Sequence, residues 1–86
     1  MNFNEMHALA LRMKKDLPAG SSTAELFRRG ADAIGKKLVE EAAESWMAAK
    51  FQKHEDVALE LSQVLYYVAC MMAEKGVTLE EVYAKL

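Results

Sequence analysis

The segment that most constrains the fold is the apolar stretch 57–73, VALELSQVLYYVACMMA. Its residues Val57, Val64 and Met71 recur at seven-residue intervals, and the positions between them continue the steps of three and four that define one face of a helix. The stretch is shorter than the roughly twenty residues of a membrane span, and Glu60 interrupts it. It therefore predicts the central helix of a bundle rather than a strand or a membrane anchor.

Helical periodicity covers most of the 86-residue chain and predicts an all-α domain of four to five helices. The predicted helical ranges are 3–17, 23–51 with a break near Gly30, 55–75, and a short last helix from 79 to 84. The two long ranges are joined by the short polar segment 52–56, so they form a long antiparallel hairpin. Close approach of another helix at Gly30 or Gly35 would also account for glycine in a helical range.

Helix starts are marked by short polar motifs. Either Ser22, in a capping box with Glu25, or Thr23 caps the second range. Thr78 and Glu81 form a capping box for the last helix. These motifs place the boundaries of the hairpin and of its flanking helices.

Composition excludes several classes of function. The net charge of −2 and the lack of a basic stripe give no support to nucleic-acid binding. Cys70 is the single cysteine, so neither a disulfide framework nor a thiolate metal site is expected. The first residues lack the basic and apolar regions of a signal peptide, which predicts a cytoplasmic protein. His7 and His54 lack the spacing of metal ligands, and we expect both at the surface.

Three carboxylates fall within five residues of the first long helix: Glu40, Glu41 and Glu44. Side chains three or four residues apart are neighbours on a helix, so these like charges repel one another. Lys36 and Lys37 could neutralise them at the same spacing, or solvent could screen them. A bound cation is the third explanation, and it predicts further oxygen ligands nearby.

Such ligands are predicted on the second long helix. Glu41 shares a stripe with Ile34 and Leu38, and Glu60 shares one with Val57 and Val64, so both glutamates face inward. Residues equally distant from the turn of a hairpin face each other. This places four oxygen-bearing side chains on facing surfaces: Glu41, Glu44, Glu60 and Gln63. All-oxygen ligation favours Mg²⁺, Mn²⁺ or Ca²⁺ over zinc, and Mg²⁺ commonly completes its ligands with substrate phosphates.

The ordered set of motifs is similar to that of a known family. It consists of Gly20-Ser21-Ser22-Thr23, Gly30, Ile34, Lys37, Glu40-Glu41-x-x-Glu44 and Glu60-x-x-Gln63-x-x-Tyr66. Together these residues resemble the stand-alone phosphoribosyl-ATP pyrophosphohydrolases, which belong to the wider all-α nucleoside triphosphate pyrophosphohydrolases of the MazG type. The resemblance covers nearly the whole chain and is strongest from Gly20 to Leu86.

The resemblance implies a homodimer whose subunits together form a helical bundle, and a Mg²⁺ site. Its ligands would be Glu41, Glu44 and Glu60, with Gln63 in the position where the family motif ends in aspartate. A glutamine offers a carbonyl oxygen without charge, so this corner is expected to bind metal more weakly or only through water. The histidine that often follows the motif tyrosine is replaced by Tyr67.

The reaction that the resemblance implies is the second step of histidine biosynthesis, the hydrolysis of phosphoribosyl-ATP to phosphoribosyl-AMP and pyrophosphate. Glu40 or Glu44 would accept the proton of the attacking water. Lys37 and Lys36 would hold phosphate oxygens. The helix start at Ser21 and Thr23 would offer backbone N–H groups to an anion.

Two other functions compete with this one. A related enzyme could act on ordinary or damaged (deoxy)nucleoside triphosphates instead. A helical dimerisation module without catalytic activity would use the glutamates only for solubility. Dimerisation also has a physical reason of its own, because the segment 57–73 is apolar on more than one side.

Overall fold

The computed structural model describes all residues 1–86 and contains five α-helices and no strand. These are α1 (Phe3–Asp16), α2 (Ser22–Arg29), α3 (Ala31–Phe51), α4 (His54–Lys75) and α5 (Leu79–Tyr83). The all-α prediction is confirmed. Helices α3 and α4 pack against each other as the predicted antiparallel hairpin, and α1 packs on α4 while α2 packs on α3.

Side-chain caps fix where the helices begin. Ser21, rather than Ser22 or Thr23, caps α2, because its hydroxyl accepts a hydrogen bond from the backbone N–H of Ala24 at 3.1 Å. The predicted capping box of Thr78 and Glu81 is confirmed at the start of α5. A further box at the start of α1 was not predicted from the sequence, and there the Glu5 N–H donates to Oδ1 of Asn2 at 2.8 Å.

Gly30 separates α2 from α3, as the sequence predicted. Its φ of 94° and ψ of −168° lie in a region that residues with a Cβ rarely adopt. The chain therefore changes direction at a single residue, with the Gly30 N–H still donating to the Leu26 carbonyl at 2.9 Å. Gly35 does not mark an obligatory close approach, because an added Cβ would stand 3.5 Å from Cε of Met71, an ordinary contact.

The buried core lies at one end of the α3–α4 hairpin, which we call the covered end. Helices α1 to α4 all contribute to it, and its residues are Ala10, Phe27, Ile34, Ala69, Cys70 and Ala73. Lys14 ties α1 to this end by donating to the Ala73 and Glu74 carbonyls at 3.3 and 2.9 Å. Those carbonyls belong to the last turn of α4, where acceptors are only partly satisfied by the backbone; the Ala73 carbonyl also accepts from the Gly76 N–H at 3.4 Å.

One of the two histidines, both of which were expected at the surface, is buried. His7 is buried, with only 8% of its surface exposed, so the prediction of a surface position was wrong. It lies on the face of α1 that also buries Ala10, which is one turn further along the helix. His54 is exposed, as predicted, and it is the first residue of α4.

The half of the hairpin nearer the turn at 52–53, as far as the middle of α4, buries few of its side chains. We call it the open end. Its large apolar side chains are about half exposed or more, and they are Trp46, Met47, Phe51, Leu59, Leu61 and Leu65. Trp46 is 69% exposed and thus is not part of the core of the single chain.

Helix α4 is long and apolar enough, by length and composition alone, to cross a membrane. It has 22 residues, and its most apolar window has a mean hydropathy of 1.2, so the expectation that this segment is too short was wrong. The central helix of a bundle has the same length and composition. Glu60 in α4 faces carboxylates of α3, which supports the bundle assignment.

Candidate active site

Three carboxylates meet where α3 and α4 face each other. Glu41 and Glu44 lie one turn apart on α3, and Glu60 approaches from α4. One carboxylate oxygen from each residue lies within 4.8 Å of the other two. Glu41 is buried, Glu60 is half-buried and Glu44 is exposed, so the cluster opens to solvent on the Glu44 side.

Lysines neutralise only part of this charge. Nζ of Lys37 lies 3.6 Å from a Glu41 oxygen and 3.8 Å from a Glu40 oxygen. Glu40 also pairs with Lys36 at 4.0 Å and is not one of the three clustered carboxylates. No Lys, Arg or His nitrogen lies within 4.0 Å of the Glu44 or Glu60 carboxylate. The cluster therefore keeps two carboxylates without a cationic partner.

The uncompensated charge affects the protonation of Glu44. A side-chain hydrogen bond with Glu41 and the negative charge of Glu41 raise the pKa of the Glu44 carboxyl, and Glu60 adds to the effect. A proton shared between carboxylates relieves repulsion in the same way as a metal ion would. Glu44 thus holds a proton more readily than an ordinary carboxyl when no ion is bound.

The donor set fits a hard divalent cation. Mg²⁺ binds oxygen at about 2.1 Å, so two of its ligands stand at most about 4.2 Å apart. Oxygens within 4.8 Å of one another reach that separation with small side-chain rotations. Gln63 is half-buried one turn after Glu60 on α4, and its side chain makes no hydrogen bond within the chain. Its carbonyl oxygen is therefore free to act as a neutral ligand.

The predicted substrate-binding residues fall into two groups. Lys37 lies beside the cluster, with Nζ 5.7 Å from the centre of the Tyr67 ring. Lys36 points away from it, with its side chain 79% exposed. Ser21 uses its hydroxyl as the cap of α2, and the buried Thr23 hydroxyl is hydrogen-bonded to the Tyr66 hydroxyl. In this conformation Thr23 supports α4 rather than facing a ligand with its hydroxyl.

A surface cavity of about 340 Å³ adjoins the cluster on the α2 side. It is lined by Ser22, Glu25, Leu26, Arg29, Lys37 and Tyr67. Lys37 lines this cavity and also pairs with Glu41 of the cluster at 3.6 Å, so its ammonium group links the two. Sequence reasoning missed Arg29, although its position in the last turn before Gly30 was a usable signal.

A second cavity, of about 720 Å³, lies along the other flank of α3. It is lined by Ala31, Asp32, Gly35, Lys36, Val39, Glu40 and Met71. None of the three clustered carboxylates borders it. The clustered carboxylates do not border the smaller cavity either, but Lys37, which lines it, pairs with Glu41 of the cluster, whereas the larger cavity is bordered by Lys36 and Glu40.

The sequence matches known proteins along most of its length. The family model described as "Phosphoribosyl-ATP pyrophosphohydrolase" matches residues 3–86. A protein of Streptomyces coelicolor named "Phosphoribosyl-ATP pyrophosphatase" is 55% identical over 69 residues, which are 80% of this chain and 77% of that protein. A protein of the same name from Streptomyces avermitilis is 54% identical over 69 residues, with the same coverage of both chains.

Proposed function

The chain belongs to the phosphoribosyl-ATP pyrophosphohydrolase family, and from that premise we propose how it carries out the family reaction. It is a hydrolase of histidine biosynthesis that splits phosphoribosyl-ATP into phosphoribosyl-AMP and pyrophosphate. We propose that hydrolysis depends on Mg²⁺ held by Glu41, Glu44 and Glu60. As a biosynthetic enzyme acting on a soluble nucleotide, it works in the cytoplasm.

The observation that carries the metal proposal is the excess charge of the cluster. Three carboxylate oxygens lie within 4.8 Å of one another, and Lys37 is the single cation beside them. A divalent ion would balance the two remaining charges. Gln63 adds a neutral oxygen on the α4 side, where an aspartate would add a third unbalanced charge.

The ion, when bound, would offset the charge of the triphosphate and make water a better nucleophile. The protein's own groups have separate roles. Lys37 stands between the cluster and the adjoining cavity and holds phosphate oxygens there. Lys36 precedes Lys37 on α3, and its side chain is exposed to solvent. It can therefore reach the phosphate oxygens only from the solvent side.

Glu44 is our first choice for the residue that accepts the proton from water. It is exposed, it lacks a lysine partner, and its neighbours Glu41 and Glu60 raise the pKa of its carboxyl. Glu40 is the second choice, because its oxygens already pair with Lys36 at 4.0 Å and with Lys37 at 3.8 Å. A general base works best when its pKa is close to the operating pH, and the raised pKa of Glu44 favours it on this ground.

The start of α2 contributes to anion binding through its backbone. The first N–H groups of a helix have no intrahelical acceptor, and the helix dipole is positive at that end. Ser21 satisfies the N–H of Ala24, which leaves the N–H groups of Ser22 and Thr23 for a phosphate oxygen. Ser22 borders the cavity beside Lys37, so the anion would lie between these two groups.

We further propose a homodimer in which the open ends of two hairpins cover each other. The chain buries only 13 of its 86 residues, and the large apolar side chains of the open end, on α3 and α4, are about half exposed or more. In monomeric proteins, large exposed apolar surfaces mark sites of interaction. A second copy supplies helices of the same apolar composition, and together they form a bundle.

Measuring pyrophosphate release from purified protein tests the reaction. We expect turnover of phosphoribosyl-ATP with Mg²⁺, and loss of turnover with a chelator. Glu41→Gln should lower kcat by at least about a hundredfold, since it removes a charged ligand of the ion that would offset the triphosphate charge. Glu55→Gln is the matched control, because Glu55 is an exposed residue of the first turn of α4 outside the cluster.

Three results would contradict the proposal. Faster hydrolysis of deoxynucleoside triphosphates than of phosphoribosyl-ATP would favour a nucleotide-pool enzyme. Full activity in the presence of chelator would remove the metal. A wild-type chain without any activity, whose Glu41→Gln variant is equally stable in Mg²⁺, would indicate a dimerisation module.

A further inference from the structure

Arg29 is a cation without a partner inside the chain. It is the last residue of α2 and borders the 340 Å³ cavity, yet it makes no ion pair and its guanidinium makes no hydrogen bond. Its neighbour Arg28, by contrast, has partners within the chain. Arg28 donates to the Leu17 carbonyl at 2.6 Å and pairs with Glu25 at 3.6 Å. Two consecutive arginines thus have different roles, one within the fold and one toward the cavity.

The cavity has the groups that a sugar phosphate requires. Arg29 offers the planar set of donors that binds phosphate in a bidentate way. Glu25 and Ser22 offer a carboxylate and a hydroxyl for the hydroxyl groups of a ribose, while Leu26 and Tyr67 provide an apolar wall. The volume of about 340 Å³ lies within the usual range of small-molecule sites, about 300 to 1,000 Å³.

The position of the cavity suggests which part of the substrate it receives. Phosphoribosyl-ATP has two separate anionic groups, a triphosphate at one end and a single phosphate on a second ribose at the other. The carboxylate cluster, with its ion, is suited to the triphosphate. Arg29 lies on α2, whereas the clustered carboxylates lie on α3 and α4, and Lys37 stands between them.

We propose that this cavity binds the phosphoribosyl group of the substrate and that Arg29 binds its phosphate. The inference rests on the proposed function and extends it to specificity. ATP and deoxynucleoside triphosphates lack the second ribose and its phosphate, so they gain nothing from Arg29. Arg29 therefore distinguishes phosphoribosyl-ATP from ordinary nucleoside triphosphates.

Comparing Arg29→Gln with wild type on two substrates tests the inference. We expect kcat/KM for phosphoribosyl-ATP to fall about tenfold or more, through a higher KM, because a charge-assisted hydrogen bond is lost. The residual kcat/KM for ATP should change less than twofold, roughly, since its binding does not involve Arg29. Competitive inhibition by ribose 5-phosphate should weaken in the same variant.

Arg12→Gln is the matched control, because Arg12 is an exposed arginine of α1 outside the cavity and the same charge is removed. Arg29→Lys should recover part of the lost affinity through its charge. An equal fall for phosphoribosyl-ATP and ATP, or no fall for either, would overturn the inference while wild-type turnover still supports the proposed function. Wild type that does not hydrolyse phosphoribosyl-ATP would reject the proposed function, and the inference with it.

Discussion

The two ends of the α3–α4 hairpin differ in how much of their apolar surface is buried. At the covered end, α1 and α2 pack over the hairpin, and Ile34 and Cys70 are completely buried. At the open end, side chains that are as large or larger remain exposed, with Trp46 at 69% and Phe51 at 70%. The hairpin has apolar surface at both ends, so the difference lies in the number of helices available to cover it.

The carboxylate cluster lies at the inner border of the open end, further from the turn than Trp46 and Phe51. Glu41 stands two turns beyond Ile34 on α3, and Ser45 and Ala48, further toward the turn, are also buried. Charged groups can be kept here because solvent reaches Glu44 while α4 holds Glu60 in place. Packing at the covered end thus fixes the register of α3 and α4, and this register brings the three carboxylates together. The exposed apolar side chains of the open end lie next to them.

Disrupting the open end should give the largest effect. We expect Leu65→Glu to convert a dimer into a monomer at micromolar concentration, because a charge left unpaired in an interface costs about 3 to 5 kcal/mol. Analytical ultracentrifugation measures the change. Leu11→Glu is the matched control, since Leu11 on α1 is 46% exposed and Leu65 is 49% exposed, but Leu11 lies outside the open end.

The same measurement can contradict the dimer. A wild-type chain that sediments as a monomer at micromolar concentration would show that the open end has no copy of this chain to cover it. A Leu65→Glu variant that remains dimeric, with Leu11→Glu monomeric, would move the interface to α1.

Truncation at the covered end should act on folding alone. Ile34→Ala removes a completely buried side chain and should lower the free energy of unfolding by about 2 to 5 kcal/mol. Leu61→Ala at the open end should cost less, and its effect should depend on protein concentration, since it acts through association. Urea unfolding at two protein concentrations separates the cases. Concentration dependence for Ile34→Ala but not for Leu61→Ala would reverse our assignment of the two ends.

Local sequence signals predicted the helices well, because periodicity and glycine act over a few residues. The break at Gly30 and the box of Thr78 and Glu81 are both where the sequence placed them. The cap of α2 was misplaced by one or two residues, since Ser21, Ser22 and Thr23 are all good caps; in the fold the Ser21 hydroxyl accepts from the Ala24 N–H, while the Thr23 hydroxyl is bonded to that of Tyr66. Local chemistry left these choices equal.

Residues that depend on tertiary contacts were harder to predict. Glu41, Glu44 and Glu60 were brought together by helix periodicity and by the hairpin, both of which the sequence indicates. His7 was assigned to the surface because nothing in its neighbourhood shows that α4 packs over that face of α1. Arg29 was overlooked for the same reason, since the cavity it borders arises only when α2, α3 and α4 meet.

Protonation of the cluster should make Mg²⁺ stabilisation depend on pH. The raised pKa of Glu44 means that the folded chain keeps a proton to higher pH than the unfolded chain does, so stability without Mg²⁺ should fall as pH rises through the folded pKa. At the proposed site, Mg²⁺ would compete with this proton. It should therefore raise the melting temperature by a few degrees at about pH 7.5 and by less at about pH 5.

Scanning fluorimetry with Mg²⁺, and with K⁺ at equal ionic strength as the salt control, measures this. Glu44→Gln should reduce both the pH dependence and the response to Mg²⁺. Equal stabilisation by Mg²⁺ in wild type and in Glu44→Gln, at both pH values, would exclude Glu44 as a ligand.

The smallest effect concerns the two histidines, one associated with each end. Nε2 of His7 is buried without a hydrogen-bond partner, which costs about 1 to 3 kcal/mol relative to an apolar atom in that place. His7→Leu, a change of similar volume, should therefore raise the free energy of unfolding by about 1 kcal/mol. His54→Leu at the exposed start of α4 should change it by less than about 0.5 kcal/mol. Chemical denaturation measures both. A His7→Leu variant less stable than wild type would mean that Nε2 is bonded in solution, and that the covered end is less completely apolar than its packing indicates.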